Sequence, residues 1–153
     1  MFKGTIDGIY ISGEAAGALT AVESVEAVAD RGLTGDRYFQ GGGTFSKGKP
    51  DQQVTLIEAE ALEAAKHGYD VVITPAESRR NLLTRGVPLN HLVGKRFRVG
   101  GAVIEGIRLC EPCGHLEKLT GKEAIKALRH RGGLRARIVE GGTISAGDEV
   151  SPT

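Results

Sequence analysis

Lys95-Arg96-Phe97-Arg98-Val99-Gly100-Gly101-Ala102-Val103-Ile104-Glu105-Gly106-Ile107-Arg108-Leu109 spells out a β-hairpin. Two strand-like runs, Lys95 to Val99 and Ala102 to Leu109, meet at a glycine pair. Glycine pairs suit tight hairpin turns because the central residues need a positive φ. The same pattern recurs on both sides. Leu134 to Val139 alternates cleanly, and Phe2 to Ile11 alternates in part. Val22, Val25 and Val28 mark a second strand, and Val54 to Ile57 a short one. Gly141-Gly142 and Ala146-Gly147-Asp148 punctuate a final pairing of Ile144 with Val150. Helical signals are fewer. Glu58 to His67 predicts a helix with Gly68 as its C′ stop. Thr74-Pro75-Ala76-Glu77 has the form of a capping box and predicts a turn or two near residues 75–80. Thr120-Gly121-Lys122-Glu123 is a second box, opening a helix to about Arg129. Roughly seven or eight short strands with about three short helices predict a mainly β fold, a barrel closed on itself.

The 153 residues predict a single domain over 1–153, long enough for a core without disulfide or metal staples. No run approaches the ~20 apolar residues that cross a bilayer, so no membrane is expected as a partner. A net charge of +1 gives no pull toward nucleic acid. The N-terminus reads as a first strand rather than a basic segment followed by an apolar one, and the chain has only two cysteines; the expectation is a reducing cytoplasm. The 23 glycines, about twice the usual share, demand tight turns. Arginine outnumbers lysine 12 to 8 and clusters at 79–85 and 129–137. Its planar fork is the better match for phosphate or carboxylate.

Both cysteines lie in Arg108-Leu109-Cys110-Glu111-Pro112-Cys113-Gly114-His115. Here a strand delivers a thiol to a predicted helix start, where outward-pointing N–H groups favour the thiolate. Such a thiolate attacks electrophiles, carries sulfur or binds a soft metal. Cys113, between a proline and a glycine, is the presented thiol, and Cys110 reads as a small hydrophobe closing a strand. Zinc would need further ligands, with His67, His91, His115 and His130 as the available ones. A thioredoxin-type pair would need a βαβ setting that the β-rich pattern does not offer. Arg79-Arg80-Asn81 could grip a phosphate or a heteroaromatic edge, or be a solvated pair of charges. Gly32-Leu33-Thr34-Gly35-Asp36-Arg37 is a polar cluster or a turn capped by Asp36. His130-Arg131-Gly132-Gly133-Leu134-Arg135 combines open backbone with arginines, or is a helix stop. The polar segment 31–53 is expected to be a loop, with Gly41 to Pro50 a mobile flap over the site.

Taken in order, Gly32–Arg37, Arg79-Arg80-Asn81-Leu82, Leu92–Phe97, Cys110-Glu111-Pro112-Cys113, Gly133–Val139 and Gly142–Val150 resemble the MOSC domain, the C-terminal domain of molybdenum cofactor sulfurases. The resemblance runs from about residue 4 to 150 and is nearest to the small stand-alone bacterial members, some of which reduce N-hydroxylated bases. It implies a barrel like that of the pyruvate kinase barrel domain. It implies that Cys113 carries sulfur or ligates molybdenum, and that Arg80 and Asn81 line the pocket for the pterin phosphate and ring. Arg37, Arg135 and Gly133 are expected beside them. The implied cofactor is the molybdenum cofactor; pyridoxal phosphate, held by a separate domain in full-length sulfurases, is not expected. The implied activities are an oxidoreductase acting on a small-molecule substrate, or a sulfurtransferase-like carrier with a Cys113 persulfide. Either needs an electron-donor or sulfur-donor protein. Gly114-His115-Leu116-Glu117 departs from the acidic Asp-Pro-x-Thr-Gly stretch of the larger reductases, so their particular substrate does not carry over.

Overall fold

A hairpin at Gly100-Gly101 does form, and it is one unit of a closed cylinder. The computed structural model describes residues 2–14, 17–39, 51–111 and 123–153. Their strands are β1 (Gly4–Ile11), β2 (Thr20–Val22), β3 (Ser24–Val28), β4 (Gly32–Leu33), β5 (Val54–Glu58), β6 (Leu82–Arg85), β7 (Arg96–Val99), β8 (Ala102–Leu109), β9 (Leu134–Glu140), β10 (Gly142–Ser145) and β11 (Glu149–Pro152). Helix α1 spans Ala59–Tyr69 and α2 spans Ala124–Ala127, with a 3-10 turn at Leu89–Leu92. Seven strands in the order β11-β7-β8-β9-β5-β6-β1 form a barrel, because β11 pairs back onto β1 with Gly4 opposite Val150. β2 extends the barrel sheet from β1, and β10-β3-β4 make a second, three-stranded sheet. Full closure leaves these seven strands without the exposed edges that invite misassociation.

Every barrel neighbour is antiparallel except β5 and β6, which run parallel. Parallel strands need a crossover, and α1 supplies it. The interior is filled by Ile6, Ile9, Leu56, Leu82, Phe97, Ile104, Leu134 and Ile138. A second apolar layer, Ile57, Ala61, Leu62, Ala65, Leu83 and Leu128, packs α1 and the α2 end onto the outer face of β5 and β6. Among the described residues no helix is long and apolar enough to cross a membrane.

Four expectations change in detail. The valine run is two strands broken at Glu23 rather than one. Ile144 and Val150 do not pair with each other: Ile144 lies opposite Val25, and Val150 opposite Val99 and Gly4. The turn at Gly147, with φ 91°, carries the chain from one sheet to the other. Gly68 does not stop α1. The helix runs on to Tyr69 and ends at Asp70, which takes φ 56° while Asp70 N–H and Val71 N–H close onto Lys66 and Ala65 carbonyls. The segment expected as loop from 31 to 53 contains β4, which pairs with β3. The Thr74–Glu77 box forms as expected: Thr74 N–H donates to Glu77 Oε1 at 3.0 Å, and Glu77 N–H to Thr74 Oγ1 at 3.2 Å. The proposed flap Gly41–Pro50 lies outside the described residues, as does the second box from Thr120 apart from Glu123.

Candidate functional site

The segment entering β6 is the framework of the site. Ser78 Oγ donates to the Pro75 carbonyl at 2.6 Å and receives Arg80 N–H. Arg79 then takes φ 62°, a left-handed conformation that a non-glycine residue holds only when its surroundings enforce it. The sharp turn sends consecutive guanidinium groups to different places. Arg79 Nη1 donates to the Gly17 carbonyl, 2.7 Å away, beyond the end of β1. Arg80, buried, donates from Nε to the Gly132 carbonyl at 2.8 Å and from Nη2 to the Cys110 carbonyl at 3.3 Å. One side chain thus ties together the exit of β8 and the entry of β9. Cys110 N–H donates to the Gly133 carbonyl at 2.7 Å, closing the same junction.

Asn81 is wholly buried. Its Oδ1 accepts from Thr55 N–H and Thr55 Oγ1, and its Nδ2 donates to the Tyr10 carbonyl, all within 3.1 Å. It is a joint between β1, β5 and β6. Gly133 has φ 115°, and a methyl group there would collide with the Leu56 carbonyl oxygen. Its lack of a side chain is needed for packing against β5.

A second segment, after β4, brings in another arginine. Asp36 is buried and accepts Ser12 N–H at 3.0 Å and Tyr38 N–H at 3.2 Å. Arg37 pairs with Asp36 at 3.3 Å, donates to the Arg79 carbonyl at 2.9 Å, and lies 4.4 Å over the Tyr38 ring. Tyr38 is also near enough to Arg135 to favour its charge. Arg135 also donates to the Asp51 carbonyl, and Asp51 pairs with Arg108 at 2.7 Å. Arg135 stands opposite Arg108 on β8 and opposite Thr55 on β5.

The electrostatics of this group follow from its composition. Burial lowers the proton affinity of Arg79, and the neighbouring charge of Arg37 lowers it further; Tyr38 and Asp36 act in the opposite direction. Burial penalises charge of either sign, so it is the like charge of Arg37 that a nearby anion would relieve. Burial also works against the charge of Arg135, but Cys110, Tyr38 and Asp51 outweigh it, and its proton is held more firmly than usual.

The structure therefore links Arg80, Gly133 and Arg135 to Cys110 and ties Arg37 to the turn at Arg79, through contacts between segments far apart in sequence, whereas Asn81 bonds to β1 and β5 instead. They divide by burial. Arg80, Asn81 and Gly133 are buried framework, whereas Tyr38, Arg79 and Arg135 are part-exposed. Arg79 and Tyr38 received no individual role from the sequence, and their signal is adjacency to Arg80 and Arg37. Cys110 is buried at the end of β8, as a small hydrophobe would be. Cys113 and His115 lie outside the described residues, and among those described no group of His, Cys, Asp or Glu could hold a metal ion.

A closed seven-stranded barrel with a cluster of guanidinium groups knitting its strand ends defines a small β-barrel protein with a cationic site. The chain belongs to the MOSC domain family, whose model matches residues 44–151, and that family is associated with the molybdenum cofactor. Among solved structures, the YuaD protein from Bacillus subtilis matches with a TM-score of 0.78 at 16% identity, covering 98% of this chain and 97% of that one. YiiM from Geobacillus stearothermophilus matches at 0.75 and 16%, covering 98% and 75%. YiiM from Escherichia coli matches at 0.68 and 18%, covering 97% and 69%. At these identities the likeness speaks for the fold alone. No curated protein matches the sequence.

Proposed function

We propose that this MOSC protein binds the molybdenum cofactor at the arginine cluster and reduces N-hydroxylated small molecules there, with Cys113 as the thiolate ligand of the metal. The observation that carries the reading is a linked set of arginines beside the end of β8: Arg80 donates to the Cys110 carbonyl, Arg135 is near enough to Cys110 to be influenced by it, and Arg37 donates to the Arg79 carbonyl next to Arg80. The donor set fits the group. The cofactor is anionic through its phosphate, and a guanidinium fork matches a phosphate in charge and geometry. Arg79 and Arg135, part-exposed, would hold the phosphate. A thiolate matches the soft ligand set that molybdenum takes in this cofactor.

When bound, the cofactor supplies the electron and oxygen-atom chemistry. The residues of the chain bind, orient and screen. Arg80 fixes the carbonyls of Cys110 and Gly132 and so sets the angle at which the chain leaves β8. Asn81 locks β6 to β1 and β5, keeping the Ser78–Arg80 turn in place. Asp36 holds the Ser12 and Tyr38 backbones and keeps Arg37 against Arg79. Reduction of an N–OH group takes electrons from a reductant, here a partner protein, and protons from solvent, and it releases water.

The test is turnover of an amidoxime by protein purified from a host that makes the cofactor, with a reduced viologen as electron donor. Wild type should turn over and Cys113→Ala should not, at equal folded content. Equal turnover in the two would overturn the assignment of Cys113. A persulfide on Cys113 with no turnover would make the chain a sulfur carrier instead.

A further inference from the structure

Between α1 and β6, away from the arginine cluster, the outer face of the barrel holds a cavity of about 230 Å³. Ala59, Leu62, Glu63 and Lys66 line it from α1, at the spacing that sets side chains along one face of a helix. Its floor is apolar: Leu62, Ile73 and Leu83 line it and are buried. Its rim reaches solvent, because Val72 is 53% exposed and Glu63 and Lys66 are exposed as well. A ligand thus has an open path to an apolar floor. Arg80 precedes β6 and Arg85 ends it, and Leu83 faces the outer apolar layer while Leu82 fills the barrel, so cavity and cluster are separate. The charges on the rim are unequal in their commitments. Arg85 is already paired twice: its Nε donates to Asp7 Oδ2 at 2.8 Å and its Nη2 to Glu63 Oε2 at 2.9 Å. Lys66 has no carboxylate partner among the described residues.

We propose that this cavity binds a small apolar carboxylic acid, its hydrocarbon body on Leu62, Ile73 and Leu83 and its carboxylate on the Lys66 ammonium. Size sets the body. An apolar cavity of about 150 Å³ takes up benzene, so 230 Å³ accommodates a ring with a short acid chain. Charge sets the head group. Glu63 and Asp7 already answer Arg85, which leaves Lys66 as the rim cation without a counter-ion. A carboxylate supplies one, an amine would meet a like charge, and a neutral hydrocarbon would leave Lys66 as it is. The flexible stem of lysine lets the ammonium follow the carboxylate. Helix α1 is the crossover from β5 to β6, so an acid held between α1 and β6 fastens that crossover to the sheet and favours the folded chain in step with its saturation. The inference does not depend on the cofactor reading.

The experiment is a heteronuclear NMR titration of the full chain with 3-phenylpropionate and with its neutral amide, in wild type, Lys66→Gln and Lys66→Arg. Lys66 is exposed, so neither variant disturbs packing. In wild type the acid should shift the methyl signals of Leu62, Ile73 and Leu83 saturably and leave the backbone signals of Cys110 and Gly133 in place. Lys66→Gln should bind the acid about fivefold more weakly, ~1 kcal/mol, the upper range for an exposed ion pair. Lys66→Arg keeps the charge and should bind it as wild type does. The amide should bind all three proteins alike, as weakly as the acid binds Lys66→Gln. No saturable shift in wild type, or shifts at Cys110 and Gly133 in place of the three methyl-bearing residues, would overturn the site. Equal affinity of wild type and Lys66→Gln for the acid, or an amide that binds wild type as tightly as the acid, would overturn the carboxylate as its ligand class.

Discussion

At the scale of single residues, the cluster separates side chains that build from side chains that bind. Arg80 belongs to the first group. Removing it leaves the Gly132 and Cys110 carbonyls without their charged donor, and such bonds contribute about 1.5–3 kcal/mol each. Arg80→Ala should therefore lose about 3 kcal/mol or more of unfolding free energy, seen as a lower urea midpoint. Asn81→Ala should fall in the same range, since it strands Thr55 N–H and the Tyr10 carbonyl in the interior. For both variants, loss of ligand binding should track loss of folded protein. An Asn81→Ala protein as stable as wild type would show that the joint is redundant. Asp51 gives a pH test. The hydrogen bond from Arg108 holds its carboxyl below the ordinary 3.8, with burial opposing. A carboxyl with a lower pKa in the folded state contributes stability above 3.8 and loses it as the pH falls below that value toward the folded one. Asp51→Asn should flatten that part of the acid limb in urea titrations. An unchanged slope would mean the ion pair with Arg108 does not persist in solution.

At the scale of elements, two glycines carry opposite expectations for stability. Gly68 lies inside α1 with open space around a would-be methyl group and no positive φ, so Gly68→Ala should stabilise by about 0.5–1 kcal/mol. Gly106 lies in β8 at a register shift, where a methyl would collide with the Leu92 carbonyl. Gly106→Ala should destabilise by about 1–3 kcal/mol. Thermal unfolding of the pair should show opposite signs, and destabilisation by Gly68→Ala would return that residue to the C′ position the sequence suggested. A glycine just after basic residues has the form of a helix stop, which is why the sequence points to Gly68. The stop that forms uses Asp70 in the left-handed region, which its short polar side chain tolerates. Strand β6 had no signal of its own. Leu82, Leu83 and Thr84 are all buried, one side in the barrel and the other under α1, so the period-two pattern is erased. The strands that were legible, β7, β8 and β9, follow the glycine hairpin or alternate cleanly.

At the scale of the whole molecule, closure does what no single segment announces. The barrel shuts because β11 pairs with both β7 and β1, joining residues at opposite ends of the sequence, and only the general need to remove edges pointed to it. The site was legible as arginine-bearing stretches, because guanidinium groups in excess of lysine are a visible choice. Their division into framework and contact residues was not, since it depends on which side chains are buried, and that follows from the β1–β6–β5–β9–β8 neighbourhood. The central claim is that this neighbourhood holds the molybdenum cofactor. Its most direct test is molybdenum and pterin analysis of the protein purified from a host that makes the cofactor, for wild type and for an Arg79→Ala/Arg135→Ala double variant of unchanged fold. The account predicts stoichiometric molybdenum and pterin in wild type and neither above background in the double variant. Wild type free of both, or a double variant loaded as fully as wild type, would contradict it.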